Sequence, residues 1–315
     1  MTGVRRGVWS WGGLTLAALA IASPARAAAP DTAYAAYQTG HYRRAQTEAL
    51  KRVEADSGDA AAMTLLGEIY RQGLGVRPDL VAALEWYERA AERGDLNAVY
   101  ALASALLDEA SPRRDVARGG ALLRRAAAAG HPAANYNLAL ALLATGQEED
   151  DQRAVACLEI AAAANIADAM HALGVLRKQG RGVLKSDVRA AEWMARAAAE
   201  GSTAGQIEYA IMLFNGDGVA RDETAAAKLF LRAAWKGNAI AQNRLARLYQ
   251  AGRGLPPDSA EAAAWHLAAR AQGLADPALE QMFDRMTPEQ KTRVARLAAE
   301  RIEGAALTTP GQPSK

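Results

Sequence analysis

A single cysteine, Cys157, stands among 315 residues, so no internal disulfide can form and no thiolate zinc site can be assembled. The four histidines, His41, His131, His171 and His266, are scattered, with no two spaced three or four apart. A metal centre is therefore not expected, and no cofactor is implied. No serine is followed three residues later by lysine, and G-x-S-x-G does not occur. Serine acyl transfer needs a base beside the nucleophile, so neither of these routes to a hydrolase is present. Aromatic residues make up only 6% of the chain, and β-branched or aromatic runs of strand type are missing.

Half of the residues are hydrophobic and alanine dominates them, which suits helices packed closely through small side chains. At the start of the chain Arg5 and Arg6 precede an apolar segment from about Val8 to Ala22, and Pro24-Ala25-Arg26-Ala27 offers small residues at both positions of an A-x-A cleavage site. Residues 1–27 are expected to be a signal peptide cut after Ala27, with the remainder periplasmic or secreted. That apolar run is shorter than the roughly 20 residues a membrane-spanning helix needs, and no later run is longer. Of 37 basic and 35 acidic residues, removal of Arg5, Arg6 and Arg26 leaves 34 against 35. A near-neutral mature chain gives no support to nucleic acid binding.

From residue 59 onward the sequence repeats. A residue suited to the left-handed position that ends a helix recurs at Gly94, Gly130, Asn165, Gly201, Gly237 and Gly273, with spacings of 36, 35, 36, 36 and 36. Fifteen residues before each stands a helix N-cap candidate: Asp79, Asp115, Asp150, Ser186, Asp222 or Asp258. Small residues at eleven and four before the anchor, such as Ala190 and Ala197, let a neighbouring helix approach. Eight before it, Trp86, Leu122, Cys157, Trp193, Leu229 and Trp265 are expected to plug the core between copies. Four copies join their two helices by a common turn, as in Gly216-Asp217-Gly218-Val219. The turn glycines follow a helix rather than a strand, so they read as helix-ending turns and not as a phosphate loop. The acidic run Glu148 to Asp151 reads as first-turn charges that complement a helix dipole.

The pattern A-x-x-x-L-G-x-x-Y-x-x-G-x-G-V, then D, then W-x-x-x-A-A-x-x-G resembles the Sel-one-like repeat (SLR), a relative of the tetratricopeptide repeat. The resemblance implies an all-α, right-handed α-solenoid of antiparallel helix pairs whose first helices line a concave face. Six units are expected over residues 59–274, a degenerate capping repeat over 28–58, C-terminal capping helices over 275–303 and a flexible tail over 304–315. Thr287, Pro288 and Gln290 carry the signature of a capping box at the start of the last helix.

By analogy with tetratricopeptide arrays, two positions on each first helix should face the groove. They are Thr64 and Glu68, Tyr100 and Ser104, Tyr136 and Leu140, His171 and Val175, Ile207 and Ile211, and Asn243 and Arg247. The middle of this row is apolar or aromatic and its ends are polar, which suits an extended peptide or an amphipathic helix. The leading expectation is a non-enzymatic scaffold for a protein or peptide partner in envelope regulation or assembly. Two rivals stand beside it: a β-lactam or cell-wall hydrolase, by family association, and a binder of peptidoglycan or polysaccharide.

Overall fold

The computed structural model describes residues 31–308, and among them every regular element is a helix. The expected signal peptide, residues 1–27, lies outside the described residues, as does the end of the tail beyond Thr308. No described helix is long and apolar enough to cross a membrane.

The chain divides into two compact units, one ending at Ala134 and one starting at Asn135. The first holds an opening pair, α1 (Thr32–Gln38) and α2 (Tyr42–Ala55), then α3 (Ala60–Gln72) with α4 (Leu80–Glu92), and α5 (Leu96–Leu107) with α6 (Val116–Ala128). The division falls within α7 (Pro132–Thr145). The second unit continues with α8 (Glu148–Ala163), then α9 (Ala167–Gln179) with α10 (Asp187–Ala199), α11 (Thr203–Asn215) with α12 (Glu223–Trp235), and α13 (Ala239–Ala251) with α14 (Ser259–Ala271). It closes with α15 (Pro277–Asp284) and α16 (Pro288–Thr308). Each unit is a run of antiparallel helix pairs of the α-solenoid type, with contacts between helices adjacent in sequence from α1 to α6 in the first and from α8 to α15 in the second.

Local chemistry sets the helix ends. Gly94, Gly130, Gly201, Gly237 and Gly273 all have φ between 80° and 87°, and Asn165 is the one described non-glycine residue at positive φ, 61°. The following residue starts the next helix: Asp95, Ser202 and Asn238 accept from the amide three residues on, at 2.8, 3.2 and 3.0 Å. Asp79, Asp115, Ser186, Asp222 and Asp258 cap the second helices as expected, each contact worth about 1 kcal/mol. The amides of these same residues donate back to the first helix, as Asp222 does to the Leu213 carbonyl at 2.9 Å, so one residue closes the turn from both sides.

Asp150 departs from the expected role. Helix α8 begins earlier, with Gln147 at its N-cap, and Asp150 lies inside the first turn, where it accepts from Thr145 and Arg153. The four acidic residues there extend the helix at its positive end. Asp151 is buried and accepts two bonds from Arg181 in the next turn, at 2.5 and 2.6 Å. The same link joins Glu223 to Arg253 two copies on.

The core plug also lies one residue later than expected. Trp86, Leu122, Cys157, Trp193 and Leu229 are only half-buried, while Tyr87, Leu123, Leu158, Met194 and Phe230 are buried. One residue is a rotation of about 100° on a helix, enough to exchange the centre of the buried stripe for its border. Trp86 and Trp193 each carry an arginine over the ring at 4.3 Å, Arg89 and Arg196, so indole size misleads about depth. Trp265 is the exception, 1% exposed in a cluster with Phe230, Leu245 and Leu279. The second turn glycine permits close approach between copies: a Cβ at Gly218 would lie 2.2 Å from the Asp187 carbonyl oxygen.

The capping box of α16 forms as its residues imply, with the Thr287 amide donating to Gln290 at 2.9 Å and the Gln290 amide to Thr287 at 3.3 Å. The helix then runs past Gly304 to Thr308, beyond the expected start of the tail.

Candidate functional site

The twelve predicted groove residues all lie on first helices, but their environments differ. In the first unit, Thr64 is half-buried and its hydroxyl bonds the Ala60 carbonyl one turn back at 2.9 Å. Glu68 accepts from Arg71, from Gln72 and, at 2.7 Å, from the Tyr87 hydroxyl. Burial raises its pKa, but those donors outweigh burial and hold the carboxyl below its usual value. Burial beside the Glu68 charge in turn pushes the Tyr87 phenol well above the ordinary range. Glu68 is thus a pin between α3 and α4, with its lone pairs largely committed.

Tyr100 is buried, at 3% exposure, and its ring stacks on His131 with centroids 4.7 Å apart. It contributes packing rather than accessible surface, a correction to its expected place on the groove. His131 accepts from the Ala134 amide through Nδ1 at 3.2 Å, which leaves Nε2–H to donate to Asn97 Oδ1 at 3.2 Å. Burial lowers the His131 pKa. Ser104 is half-buried, and its hydroxyl oxygen is shielded from water without a hydrogen-bond partner.

In the second unit Tyr136, Leu140, His171, Val175 and Ile211 are half-buried. Ile207 is buried at 8% exposure and belongs to the core cluster around Phe230 and Leu245, a second correction. Burial and the Asp168 charge push the Tyr136 phenol up to about 12. Burial lowers the His171 pKa, against the opposing influence of Glu208 and Asp168. At the far end Asn243 and Arg247 both donate to Asp276, at 2.9 and 2.6 Å. Asp276 is 3% exposed and caps α15. The polar end of the row is therefore engaged by the chain's own C-terminal cap.

Three residues outside the predicted twelve frame the open part of the row. Lys178 on α9 pairs with Glu208 on α11 at 3.2 Å, and Asp168 accepts from Ser202 at 3.4 Å. The signal was present: Asp168, His171, Val175 and Lys178 follow the i, i+3, i+7, i+10 spacing of one helix face, and Glu208 is one turn before Ile211. The arrangement is a stripe of half-buried apolar side chains, Tyr136, Leu140, Val175 and Ile211, bordered by a histidine and an ion pair. It can exclude water from an apolar contact and orient it with polar groups at the edge. Among the described residues no three His, Cys, Asp or Glu gather where they could hold a metal ion. Cys157 is half-buried, and burial pushes its thiol up.

A family model described as the Sel1 repeat matches six consecutive segments: 60–95, 96–131, 132–166, 167–202, 203–238 and 239–274. Among solved structures, a protective antigen present in uropathogenic Escherichia coli strains and displaying an SLR fold superposes with a TM-score of 0.72 at 24% identity. That match covers 90% of this chain and 65% of the other, so the chain spans just under two thirds of the longer protein. The Sel1 repeat protein from Oxalobacter formigenes superposes with a TM-score of 0.65 at 29% identity, covering 80% of this chain and 74% of that one. A comparison with curated proteins finds no matching sequence.

Proposed function

This chain belongs to the Sel1 repeat family, and from that premise we propose that it is a non-enzymatic scaffold holding a protein or peptide partner on its first-helix face. The observation that carries the proposal is the stripe of Tyr136, Leu140, Val175 and Ile211, large apolar side chains on first helices that keep part of their surface in solvent, while Tyr136, Val175 and Ile211 also border the core. Water contact at such residues is unfavourable, and a partner that covers them recovers about 25 cal/mol for each Å² of apolar surface removed from solvent. The bordering Lys178, Glu208 and His171 supply the polar rim that fixes register. An extended peptide or amphipathic helix suits a surface of this kind. The leader-like segment of Arg5, Arg6 and the A-x-A site supports a working compartment in the cell envelope and a partner among envelope proteins.

The test is capture of partners from isolated envelope fractions by the wild-type chain and by Tyr136→Ala and Ile211→Asp. Both substitutions should weaken capture at least tenfold while the protein keeps a cooperative melt, destabilised by about 1 to 2 kcal/mol as expected for half-buried side chains. If both unfold the protein instead, these residues are core and the proposal fails. Turnover of a chromogenic β-lactam that survived both changes would also count against a scaffold without enzymatic activity.

A further inference from the structure

A second surface lies on a second helix. Arg177, at the end of α9, and Arg189, Glu192, Trp193 and Arg196 on α10 line a cavity of about 430 Å³. Three guanidinium groups face one carboxylate there. Glu192 pairs with Arg189 at 2.8 Å, and Arg196 lies over the Trp193 ring at 4.3 Å. The Arg177 Nε is shielded from water and has no hydrogen-bond partner. That nitrogen is out of reach of an incoming group, and Arg177 borders the cavity with the rest of its side chain.

The repeat shows what this position can receive. Counting from the helix-ending residue, Arg177, Arg189 and Trp193 correspond to Tyr249, Glu261 and Trp265 in the last copy. There the equivalent place is filled by Arg301 from α16, which pairs with Glu261 at 2.9 Å and lies 5.3 Å from the centre of the Trp265 ring. Arg301 is also covered by Trp235, 4.7 Å away, whose counterpart beside the α10 cavity is the exposed Ala163. One copy therefore has an acidic wall with a cationic side chain inserted beside its tryptophan. The other has cationic walls, the same tryptophan and open space. In the first copy the corresponding residues are Tyr70, Ala82, Glu85, Trp86 and Arg89, without the two added arginines. The second copy has Arg118 and Arg125 at two of the arginine positions but Leu106 and Leu122 in place of Arg177 and Trp193, so three arginines beside a tryptophan occur in the fourth copy alone.

We propose that the Arg177, Arg189, Trp193 and Arg196 cavity receives a glutamate or aspartate side chain from an acidic segment of a protein partner. The carboxylate accepts from Arg177 and Arg189 in the planar geometry guanidinium favours, and the segment's apolar stem lies against Trp193. The cavity is lined mainly by α10, with Arg177 from the end of α9 beside Lys178, so R189Q on α10 tests it apart from the first-helix stripe.

Fluorescence anisotropy of a labelled peptide of alternating glutamate and alanine, against a twin with glutamine for glutamate, tests the assignment on the full chain. The glutamate peptide should bind at least tenfold more tightly than its twin. R177Q/R189Q should remove that preference, and R93Q, an exposed arginine on the first unit, should preserve it. Arg189 is 66% exposed, so R189Q alone keeps the fold and should still weaken the glutamate peptide at least threefold. Equal binding of the two peptides, or an undiminished preference in R189Q, overturns the proposal. Displacement of the peptide by inorganic phosphate at a matched concentration of anionic groups overturns it too, in favour of a small-anion site.

Discussion

Replacing Asp276 by asparagine removes one charge from a buried contact while leaving a side chain that can still cap α15. Burial pushes the Asp276 carboxyl up, but donation by Arg247 and Asn243 outweighs burial and holds it at about 2, below the ordinary 3.8. A depression of that size favours the folded, charged form by about 1 to 2 kcal/mol, once screening at half-exposed Arg247 is allowed for. Because the folded pKa lies below the unfolded one, this stabilisation is fully present above about pH 4. It is lost as pH falls from about 4 to about 2. Urea unfolding followed by circular dichroism should therefore show Asp276→Asn less stable by about 1 to 2 kcal/mol at pH 7, with the gap closing as the pH is lowered through 4 towards 3. A gap that stays constant over that range would mean the carboxylate charge is not what anchors the cap to Asn243 and Arg247. A gap below about 0.3 kcal/mol at pH 7 would refute the argument outright.

The shifted core plug predicts unequal tryptophans: Trp265→Ala should cost about 3 to 5 kcal/mol, and half-buried Trp86→Ala about 1 to 2 kcal/mol, both read from denaturant melts. Similar losses at both sites would restore the tryptophan position as the plug. Gly94→Ala meets no neighbour within 4 Å and should cost about 1 kcal/mol for its left-handed backbone, whereas Gly218→Ala adds a clash with the Asp187 carbonyl and should cost at least twice as much. Thermal melts compare the pair, and an equal loss would mean the approach between copies has slack. Asp217 occupies the turn position that Arg181 and Arg253 fill in neighbouring copies, opposite Asp187. Asp217→Arg should raise the melting temperature by re-creating the missing link, and a fall would show that those links do not stabilise the stack.

Helix ends were the most legible part of the chain because they depend on one or two residues of known backbone preference. Asn165 at φ 61° occupies its expected place, and five of the six anticipated second-helix caps form. Asp150 differs because three acidic neighbours all suit the first turn and the cap moves to Gln147. The plug lies one residue past its expected place because alanine-rich helices carry few large side chains to mark the buried stripe, and tryptophan marks its border. The candidate site was legible as a face but not as an environment. Nothing near Asn243 or Arg247 announces Asp276, which arrives from some thirty residues further on. Tyr100 and Ile207 carry the same helical phase as the half-buried members of the row, Thr64, Tyr136, His171 and Asn243, and only the packing of neighbouring helices separates them.

The central claim, a partner held on the first-helix stripe, is tested most directly by site-specific photo-crosslinking in the native envelope. A photoreactive amino acid is placed in turn at Val175 and Ile211 on the stripe and at Glu85 and Lys228 on exposed second-helix positions. Adducts to the same protein at 175 and 211, with none at 85 and 228, are the predicted result. Adducts only at 85 and 228, or equally at all four positions, would contradict it.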